Sequence, residues 1–303
     1  MNTNDKSCFV TIIGRPNVGK SSLLNNILKT KIAAVSNKPQ TTRTRITGIY
    51  TKGEYQFVFM DTPGMHTPRT ELGKYMIKSI NESVNGGDIC ILVVEALEDP
   101  GKTDIKLIEK VKNGNIPCIL AINKIDMLKT KESLLELISK YKDLYSFESI
   151  IPISATKGDG VDILIDELKK HAIEGGHFFD DDALTDQPEK VIASEIIREK
   201  ILRFTDKEIP HGTAVVIEKL KQREDKDIID IDAYIYCEKN SHKGILIGKK
   251  GSMLKKISTY AREDMEKFFD CKVNLQTWVK VKEDWRNKQA LLSNFGYDKH
   301  NFD

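Results

Sequence analysis

The chain has 303 residues, of which 40% are hydrophobic and 30% are charged, with a formal net charge of +2. That length allows two domains with separate cores, and no apolar run approaches the ~18 residues that a membrane-spanning helix needs. The polar start, Met1–Lys6, leads directly into a predicted strand, so we expect no secretory signal. Five scattered cysteines without a C-x-x-C pair are typical of reduced, mostly buried thiols in a cytosolic protein, and they argue against disulfides or a metal site.

The first predicted strand, Phe9–Ile13, runs into a glycine-rich turn and a helix predicted over Ser21–Leu28. The turn has the sequence GRPNVGKS. A strand, such a turn and a helix are typical of a phosphate-binding loop, in which backbone N–H groups and the helix N-terminus surround a phosphate chain. Lys20 can reach the terminal phosphates of a nucleoside triphosphate, and the Ser21 hydroxyl can ligate Mg²⁺. The expected nucleotide contacts in this loop are Gly14, Asn17, Val18, Gly19, Lys20, Ser21 and Ser22.

Two polar segments further along the chain are predicted to respond to the nucleotide. The first, KPQTTR at residues 38–43, has two threonines; one of them, with Thr42 favoured, can ligate Mg²⁺ only when a γ-phosphate is present. The second, DTPG, occupies residues 61–64. Its aspartate can hold Mg²⁺ through water, and the N–H of its glycine can contact the γ-phosphate. The predicted catalytic residues are Lys20, Thr42, Asp61 and Gly64, and the predicted Mg²⁺ ligands are Ser21, Thr42 and Asp61.

The predicted strand Pro117–Asn123 ends in the sequence NKID, residues 123–126, which can select the base. The Asp126 carboxylate can accept both hydrogens that guanine presents at N1 and at its exocyclic amine, a pattern that adenine lacks. A wrong base would leave a buried polar group unpaired, so such selection is strong. Asn123 can tie this turn to the phosphate-binding loop, and the Lys124 stem can lie along the base.

A second turn that can contact the base, Ser154-Ala155-Thr156, closes the strand predicted over Ile150–Ser154. The backbone N–H of Ala155 is expected to bind the guanine carbonyl oxygen, and we include its two neighbours among the nucleotide contacts. Five motifs in this order predict GTP and GDP as the ligands.

Two residues near the phosphates bear on the rate of hydrolysis. Met65 stands where Ras-like proteins carry a glutamine that orients the attacking water. Because methionine cannot do this, we expect slow intrinsic hydrolysis or help from another element. The carbonyl oxygen of Asn17 can help to hold a monovalent cation, K⁺, beside the phosphates, or it can bond to its own loop. The sequence favours neither reading.

Alternating strands and helices over residues 1–174 predict an α/β P-loop GTPase domain with a doubly wound, mostly parallel sheet. The remaining predicted strands are Arg45–Tyr50, Gln56–Asp61 and Ile89–Glu95. Further helices are predicted around Ser83 and over Thr103–Lys112, Leu134–Tyr141 and Val161–His171.

Residues 175–192 are predicted to be a linker, because glycines and an acidic run interrupt the periodic pattern there. Residues 193–303 form the second predicted domain. Its elements are a helix Ser194–Phe204, strands Thr213–Arg223 and Ile228–Glu238, a short helix and turn within Lys243–Gly251, a helix Ser252–Phe269, a strand Lys272–Val281 and a helix Asp284–Asn294. The order α-β-β-α-α-β is that of an α+β type II KH domain, here with a C-terminal helix. The segment from Phe295 onwards gives no prediction.

A Gly-x-x-Gly turn, GKKG at residues 248–251, joins the two middle helices of this domain. From Lys239 to Arg262 the chain has seven basic residues and no acidic one. Glycines let a nucleic-acid backbone approach, lysines neutralise its phosphates, and Ile245 and Ile247 can form a groove for splayed bases. The predicted RNA contacts are Lys243, Ile247, Gly248, Lys249, Lys250, Gly251 and Lys255.

Taken together, these motifs resemble those of the Era GTPases over nearly the whole chain. The match includes GRPNVGKS, KPQTTR, DTPG, NKID, ISAT and GKKG, together with LTD at residues 184–186, PE at 188–189 and EIIREK at 195–200. The inclusion of the predicted linker makes the resemblance specific to Era and not merely to GTPases.

The resemblance implies a bacterial ribosome-biogenesis factor that binds the 3′ end of small-subunit (16S) ribosomal RNA through its KH domain and assists 30S assembly. It also implies release on GTP hydrolysis, potassium-assisted hydrolysis without a catalytic glutamine, and a cytoplasmic protein with peripheral association at the cytoplasmic face of the inner membrane. We expect a monomer.

Alternative functions remain at the level of the sequence. One is a membrane-associated regulatory switch for which RNA is incidental. A tandem GTPase would need a second phosphate-binding loop, and a tRNA-modifying GTPase would need a further catalytic domain. The chain has one such loop and no room for another domain.

Overall fold

The computed structural model describes residues 5–297, which form two compact units. The first unit comprises the chain up to Ile32 together with Thr42–Thr67 and Met76–Asp186. The second comprises Ala33–Thr41, Pro68–Tyr75 and the chain from Gln187 onwards. The division at residues 186 and 187 falls inside the segment predicted as a linker. Residues 1–4 of the polar start and residues 298–303 of the C-terminal segment lie outside the described residues.

The first unit is built on a sheet with the strand order β2-β3-β1-β4-β5-β6. The strands are β1 (Lys6–Gly14), β2 (Ile46–Lys52), β3 (Tyr55–Asp61), β4 (Ile89–Glu95), β5 (Cys118–Asn123), β6 (Ser149–Pro152) and β7 (Ile173–Glu174). β2 is antiparallel to β3, β7 is antiparallel to β1, and every other pair is parallel. The predicted mostly parallel sheet is therefore confirmed.

Helices cover both faces of this sheet, as buried parallel strands require. They are α1 (Lys20–Leu28), α2 (Glu71–Asn85), α3 (Lys102–Gly114), α4 (Lys131–Lys142) and α5 (Val161–Leu168). Six of the seven residues of β4 are buried, which explains why its sequence is an almost continuous apolar run. The helix predicted over Val161–His171 is shorter than expected, because α5 gives way to a 3₁₀ turn at Lys169.

The first residues of the predicted linker are fixed to the first unit through one buried glutamine. The Gln56 side chain in β3 accepts hydrogen bonds from the N–H groups of Phe178 (2.8 Å) and Phe179 (3.0 Å) and donates one to the Phe179 carbonyl (2.9 Å). Further along, the Ile49 N–H donates to the Leu184 carbonyl at 2.9 Å. The segment after β7 thus follows the edge of the sheet.

The second unit contains a three-stranded sheet in the order β10-β9-β8. Its elements are α6 (Glu189–Phe204), β8 (Thr213–Gln222), β9 (Ile228–Cys237), α7 (Asn240–Ile247), α8 (Ser252–Phe269), β10 (Lys272–Val281) and α9 (Gln289–Asn294). β8 is antiparallel to β9, and β9 is parallel to β10. The predicted α-β-β-α-α-β order is confirmed. Alternate residues of β9 are buried, whereas α8 buries Ile257, Ala261 and Met265 at four-residue spacing.

The prediction of a helix over Asp284–Asn294 is wrong for the first half of that range. Asp284 has a left-handed backbone (φ 53°), Trp285–Asn287 form a 3₁₀ turn, and the extended Lys288 precedes α9. The cause is the fully buried indole of Trp285, whose Nε1 donates to the Gly212 carbonyl at 2.9 Å. Burying this side chain takes precedence over a regular helix.

None of the helices within residues 5–297 is both long enough and apolar enough to cross a membrane.

Candidate functional site

The phosphate-binding loop connects the buried strand β1 to α1, and two of its glycines are required by close neighbours. A Cβ on Gly14 would lie 2.5 Å from the Val93 carbonyl oxygen, and one on Gly19 (φ 100°) would lie 2.2 Å from Asn123 Nδ2. Asn17 also has a left-handed backbone, with φ 67°, and its side chain is exposed. The loop is thus a tight ring of backbone whose shape depends on residues without side chains.

Lys20 is buried at the start of α1 and is held by the loop itself. Its Nζ donates to the carbonyls of Gly14 (3.2 Å) and Arg15 (3.0 Å). Burial lowers the pKa of Lys20 to about 8, and the nearby Asp61 carboxylate opposes this shift. A phosphate chain in the loop would place negative charge beside this ammonium and would stabilise its charged form, which burial destabilises.

Three side-chain oxygens from distant parts of the sequence converge beside Lys20. The Ser21 hydroxyl donates to Asp61 Oδ2 at 2.6 Å and lies 2.9 Å from Thr42 Oγ1, which is 3.5 Å from the same carboxylate oxygen. Two hydroxyls and one carboxylate are hard oxygen ligands of the kind that suits Mg²⁺ in nucleotide sites. Within the described part of the chain no cluster of three or more His, Cys, Asp and Glu side chains forms a separate metal site.

The turn after β3 lies directly against the phosphate-binding loop. A Cβ on Gly64 would lie 2.6 Å from the Pro16 Cα, and the Met65 N–H donates to the Gly14 carbonyl at 3.2 Å. The Met65 side chain packs against the buried apolar cluster that contains Ile13 and Ile80. Its apolar character is explained by this packing, which a glutamine would disturb.

Asn123 links the end of β5 to the phosphate-binding loop and to the turn after β6. Its Nδ2 donates to the Val18 carbonyl at 2.7 Å, and its Oδ1 accepts from the Ala155 N–H at 2.9 Å. The Ala155 N–H is therefore engaged by Asn123, and a guanine carbonyl would have to share or replace that bond. The sequence gives no sign of this competition.

Asp126 lies in a 3₁₀ turn after β5, with its carboxylate exposed. Its Oδ1 accepts a hydrogen bond from Ser154 Oγ at 2.7 Å, and that hydroxyl lies 3.3 Å from Thr156 Oγ1. Lys124, which has a left-handed backbone, forms an ion pair with Glu95. Sequence reasoning missed Glu95, because an acid at the end of a strand carries no motif.

In the second unit the GKKG turn exposes its two lysines, and both of its glycines have a positive φ. Gly248 (φ 73°) has no room for a Cβ, which would lie 2.8 Å from the Met253 nitrogen, whereas Gly251 (φ 79°) has nothing within 4 Å. Lys249, Lys250 and Lys255 are exposed, and Lys243 and Ile247 are partly buried. Ile245 is 49% exposed although the neighbouring Leu246 is fully buried. An exposed apolar side chain beside free lysines and an open glycine backbone fits a nucleic-acid strand.

Helix α6 binds the segment Ala33–Thr41, which belongs to the same compact unit. The buried Arg198 pairs with Glu195 and donates to the carbonyls of Gln40 (3.5 Å) and Thr41. The Glu199 carboxylate accepts the Val35 N–H at 3.0 Å. Sequence reasoning missed these contacts, since a charged pair on a helix is typical of a solvated face.

A further ion pair fixes the middle of the same segment. Lys38 Nζ lies 2.7 Å from the Asp206 carboxylate and also donates to the Thr205 carbonyl, just after the end of α6. The backbone that leads to Thr42 is thus held at three points by the unit that contains the GKKG turn.

Comparison with known proteins identifies a GTPase region and a KH region in this chain. Residues 9–124 match the family model described as 50S ribosome-binding GTPase, and residues 208–286 match that of the KH domain. Two solved structures are similar over almost the whole chain, each with a TM-score of 0.93 and 37% identity. One is Aquifex aeolicus Era bound to GDP and AlF₄⁻, which covers 96% of this chain, with 99% of that chain aligned. The other is Era in complex with MgGDPNP and nucleotides 1506–1542 of 16S ribosomal RNA, which covers 97% of this chain, again with 99% of that chain aligned.

Curated relatives agree over the same length. The GTPase Era of Ruminiclostridium cellulolyticum is 51% identical over 96% of this chain and 97% of its own. That of Clostridioides difficile is 50% identical over 97% of this chain and 99% of its own. The chain belongs to the Era family of GTPases.

Proposed function

We propose that this GTPase is a GTP-gated RNA-binding factor in assembly of the 30S ribosomal subunit. It binds the 3′ end of 16S ribosomal RNA through its KH domain, residues 193–303, and leaves when the GTP in its first domain, residues 1–174, is hydrolysed. The complex of a 37% identical Era with MgGDPNP and 16S ribosomal RNA supports both ligands. The GKKG turn and its exposed lysines support the nucleic-acid contact.

The observation that carries the gating proposal is the path of the chain around Thr42. The two residues before it, Gln40 and Thr41, are bound through their carbonyls by Arg198 of α6. Thr42 itself lies 2.9 Å from Ser21 and 3.5 Å from Asp61. A change in the position of Thr42 after loss of the γ-phosphate is therefore passed to backbone that the KH-containing unit holds.

The residues of the site fit a guanine nucleotide with Mg²⁺. In our proposal Ser21 and Thr42 ligate the ion directly and Asp61 holds it through water, and Mg²⁺ supplies positive charge to the phosphate oxygens. Lys20 and the loop N–H groups bind the phosphates, and the Gly64 N–H contacts the γ-phosphate. Asp126 selects guanine, while Asn123 fixes its turn and Lys124 flanks the base.

We infer slow intrinsic hydrolysis, because the partly buried Met65 packs against the apolar core and offers no group to orient water. We propose that a potassium ion at Asn17 assists hydrolysis in place of the absent glutamine. Hydrolysis rates in K⁺ and Na⁺, for the native chain and for Asn17→Ala, test it. We expect faster hydrolysis in K⁺ that disappears in the variant, and equal rates in the two salts for the native chain would refute the role of the ion.

Binding to an oligonucleotide from the 3′ end of 16S ribosomal RNA, with a GTP analogue and with GDP, tests the main proposal. We expect tighter binding in the GTP-like state. Lys249→Asp with Lys250→Asp should abolish RNA binding and leave nucleotide binding intact. The matched control is Lys226→Asp with Lys267→Asp, the same charge change at two exposed lysines of the same unit. Weak, sequence-blind binding that is equal in both nucleotide states would contradict the proposal.

We further propose a cytoplasmic monomer that associates peripherally with the inner membrane. Co-sedimentation of the full chain with anionic vesicles, with and without RNA, measures the association. Size-exclusion chromatography with light scattering measures the oligomeric state.

A further inference from the structure

One face of the sheet in the second unit is covered by helices, whereas the other is contacted by Phe295, at the end of the sheet near Tyr236. Helices α6 and α8 pack against β8 and β10 on the buried face, and α7 contacts the edge strand β10. The opposite surface, which we call the outer face, contains the partly exposed residues of each strand. Its central rows, read across β8, β9 and β10, are Val216–Tyr234–Trp278, Lys219–Asp232–Gln276 and Lys221–Asp230–Asn274.

The outer face carries an aromatic pair that joins the edge strand β10 to the central strand β9. Trp278 is 40% exposed, which is unusual for so large an apolar side chain, and its ring centroid lies 5.4 Å from that of Tyr234. The Lys280 ammonium lies 3.5 Å from the Tyr234 ring centroid. The next aromatic residue of β9 on this face, Tyr236, is stacked against Phe295, with the two ring centroids 4.6 Å apart. Trp278 and Tyr234 therefore lie next to the end of the outer face that Phe295 covers.

Positive charge surrounds the aromatic pair. Four lysines occupy outer-face positions at Lys219, Lys221, Lys272 and Lys280, against the two acids Asp230 and Asp232. Asp230 is neutralised by Arg223, with Nη2 2.7 Å from Oδ1, and hydrogen bonds from Arg223 and Asn274 hold the pKa of Asp230 well below its ordinary value. The excess of cations complements a polyanion, and a flat aromatic surface fits the faces of unpaired bases.

We propose that the outer face is a second contact surface for single-stranded RNA, on which one or two bases stack against Trp278 while lysines bind the flanking phosphates. The inference rests on the proposed function, because it requires that an RNA strand bound at the GKKG turn continues past β10 onto this face. The connection is β10, which contacts α7 on one side and displays Trp278 on the other. A Gly-x-x-Gly turn clamps about four nucleotides, so a longer strand needs a further surface.

Tryptophan fluorescence tests the proposal directly, since the chain has only two tryptophans. Trp285 is fully buried, so in the full-length Trp285→Phe variant the emission reports Trp278 alone. The probe is a ~12-nucleotide oligonucleotide from the 3′ end of 16S ribosomal RNA, long enough to reach beyond the KH groove. We expect the RNA to quench the Trp278 emission, with a Kd equal to the one obtained from the fluorescence anisotropy of labelled RNA.

Two substitutions in the native background give an independent measurement. Trp278→Ala should weaken binding of the long oligonucleotide about tenfold, the loss expected for one stacked base, and leave a ~4-nucleotide oligonucleotide unaffected. Trp278→Phe should restore most of the affinity. An unchanged affinity for the ~4-nucleotide oligonucleotide shows that the KH-containing unit of the variants is folded.

The outcomes separate this proposal from the one it rests on. RNA binding without quenching, or equal affinities for the native chain and Trp278→Ala, would overturn the second surface alone and leave the KH contact standing. Equal weakening by Ala and Phe would also overturn it, because stacking tolerates the exchange of one ring for another. Absence of RNA binding in the native chain would refute both proposals.

Discussion

Lys20 has to exchange hydrogen bonds in order to bind a phosphate chain. Its ammonium donates to the carbonyls of Gly14 and Arg15, and burial lowers its pKa to about 8. Phosphate oxygens would stabilise the charged form and raise that pKa again. At a pH at which Lys20 of the free protein is deprotonated, binding of a nucleotide is therefore accompanied by uptake of a proton.

The linkage predicts a pH dependence of nucleotide affinity with a definite sign. Below about pH 7 Lys20 is protonated with and without nucleotide, so affinity for GDP should not change with pH. As pH rises through about 8 only the free protein loses the proton, so affinity should fall. Calorimetry in two buffers of different ionisation enthalpy measures the uptake, which should approach one proton at about pH 8.7 and vanish at about pH 6.5. Equal uptake at both values would contradict this role for Lys20.

Gly64→Ala should impair hydrolysis more than binding. The new Cβ would meet the Pro16 backbone at 2.6 Å and displace the N–H that we assign to the γ-phosphate. We expect the single-turnover rate to drop about 10- to 100-fold, the loss expected for one transition-state donor, with an almost unchanged Kd for GDP. Gly175→Ala is the matched control, since nothing lies within 4 Å of its Cβ position. A normal rate in Gly64→Ala would show that the turn has another way to reach the phosphate.

At the scale of elements, β3 stabilises the segment that follows β7. The three hydrogen bonds of Gln56 to Phe178 and Phe179 are made by a fully buried side chain. Breaking them leaves two N–H groups and a carbonyl without the partner they have in the native chain, which is costly in a buried place.

Gln56→Leu should therefore lower the free energy of unfolding of the first unit by about 2–3 kcal/mol. Denaturant titration followed through nucleotide binding measures this loss. Asn113→Leu, at an exposed position of α3 in the same unit, should change the free energy of unfolding by less than about 0.5 kcal/mol. An equal effect of the two substitutions would mean that the segment after β7 contributes nothing to the fold.

The elements that the sequence predicted well are those with a strong local pattern. β4 reads as a continuous apolar run, and the alternation of β9 is visible in Ile229, Ile231, Ala233 and Ile235. The second half of the final helix was predictable for the same reason, whereas its first half was not. Burial of Trp285 against Gly212, 73 residues away, decides that local structure, and no periodicity reports such a contact.

At the scale of the whole molecule, the chain passes between its two compact units next to the proposed metal ligand. Residues 33–41 belong to the second unit and Thr42 to the first. Sequence motifs predict roles for Thr42 and for the GKKG turn, but no local pattern predicts the contact of Arg198 with Thr41, which are 157 positions apart. The candidate site residues could thus be named from the sequence, whereas this long-range contact could not.

Removal of the Arg198 contact should uncouple RNA affinity from the nucleotide state. Arg198→Met alone would leave Glu195 buried without its partner and could destabilise the unit by about 3–5 kcal/mol. The double variant Glu195→Gln with Arg198→Met removes both charges. We expect its RNA affinities with a GTP analogue and with GDP to become equal, while its Kd for GDP stays that of the native chain.

The matched control for this experiment is Arg203→Met, an exposed arginine on the same helix. It should preserve the difference between the two nucleotide states. If the double variant also preserves that difference, the contact between α6 and the segment before Thr42 does not transmit the state of the nucleotide.

Because residues 33–41 belong to the second unit, they are synthesised long before the helix that they contact. Thr41 leaves the ribosome 157 residues before Arg198. At about 5–20 residues per second this is a delay of about 8–30 s, during which the segment has no helix to bind. Most of the nucleotide site can fold in that time, but the segment that leads to Thr42 has no partner until about two thirds of the chain has been made. A nascent chain should thus acquire its full response to GTP only after α6, the first helix of the KH-containing unit, has been made.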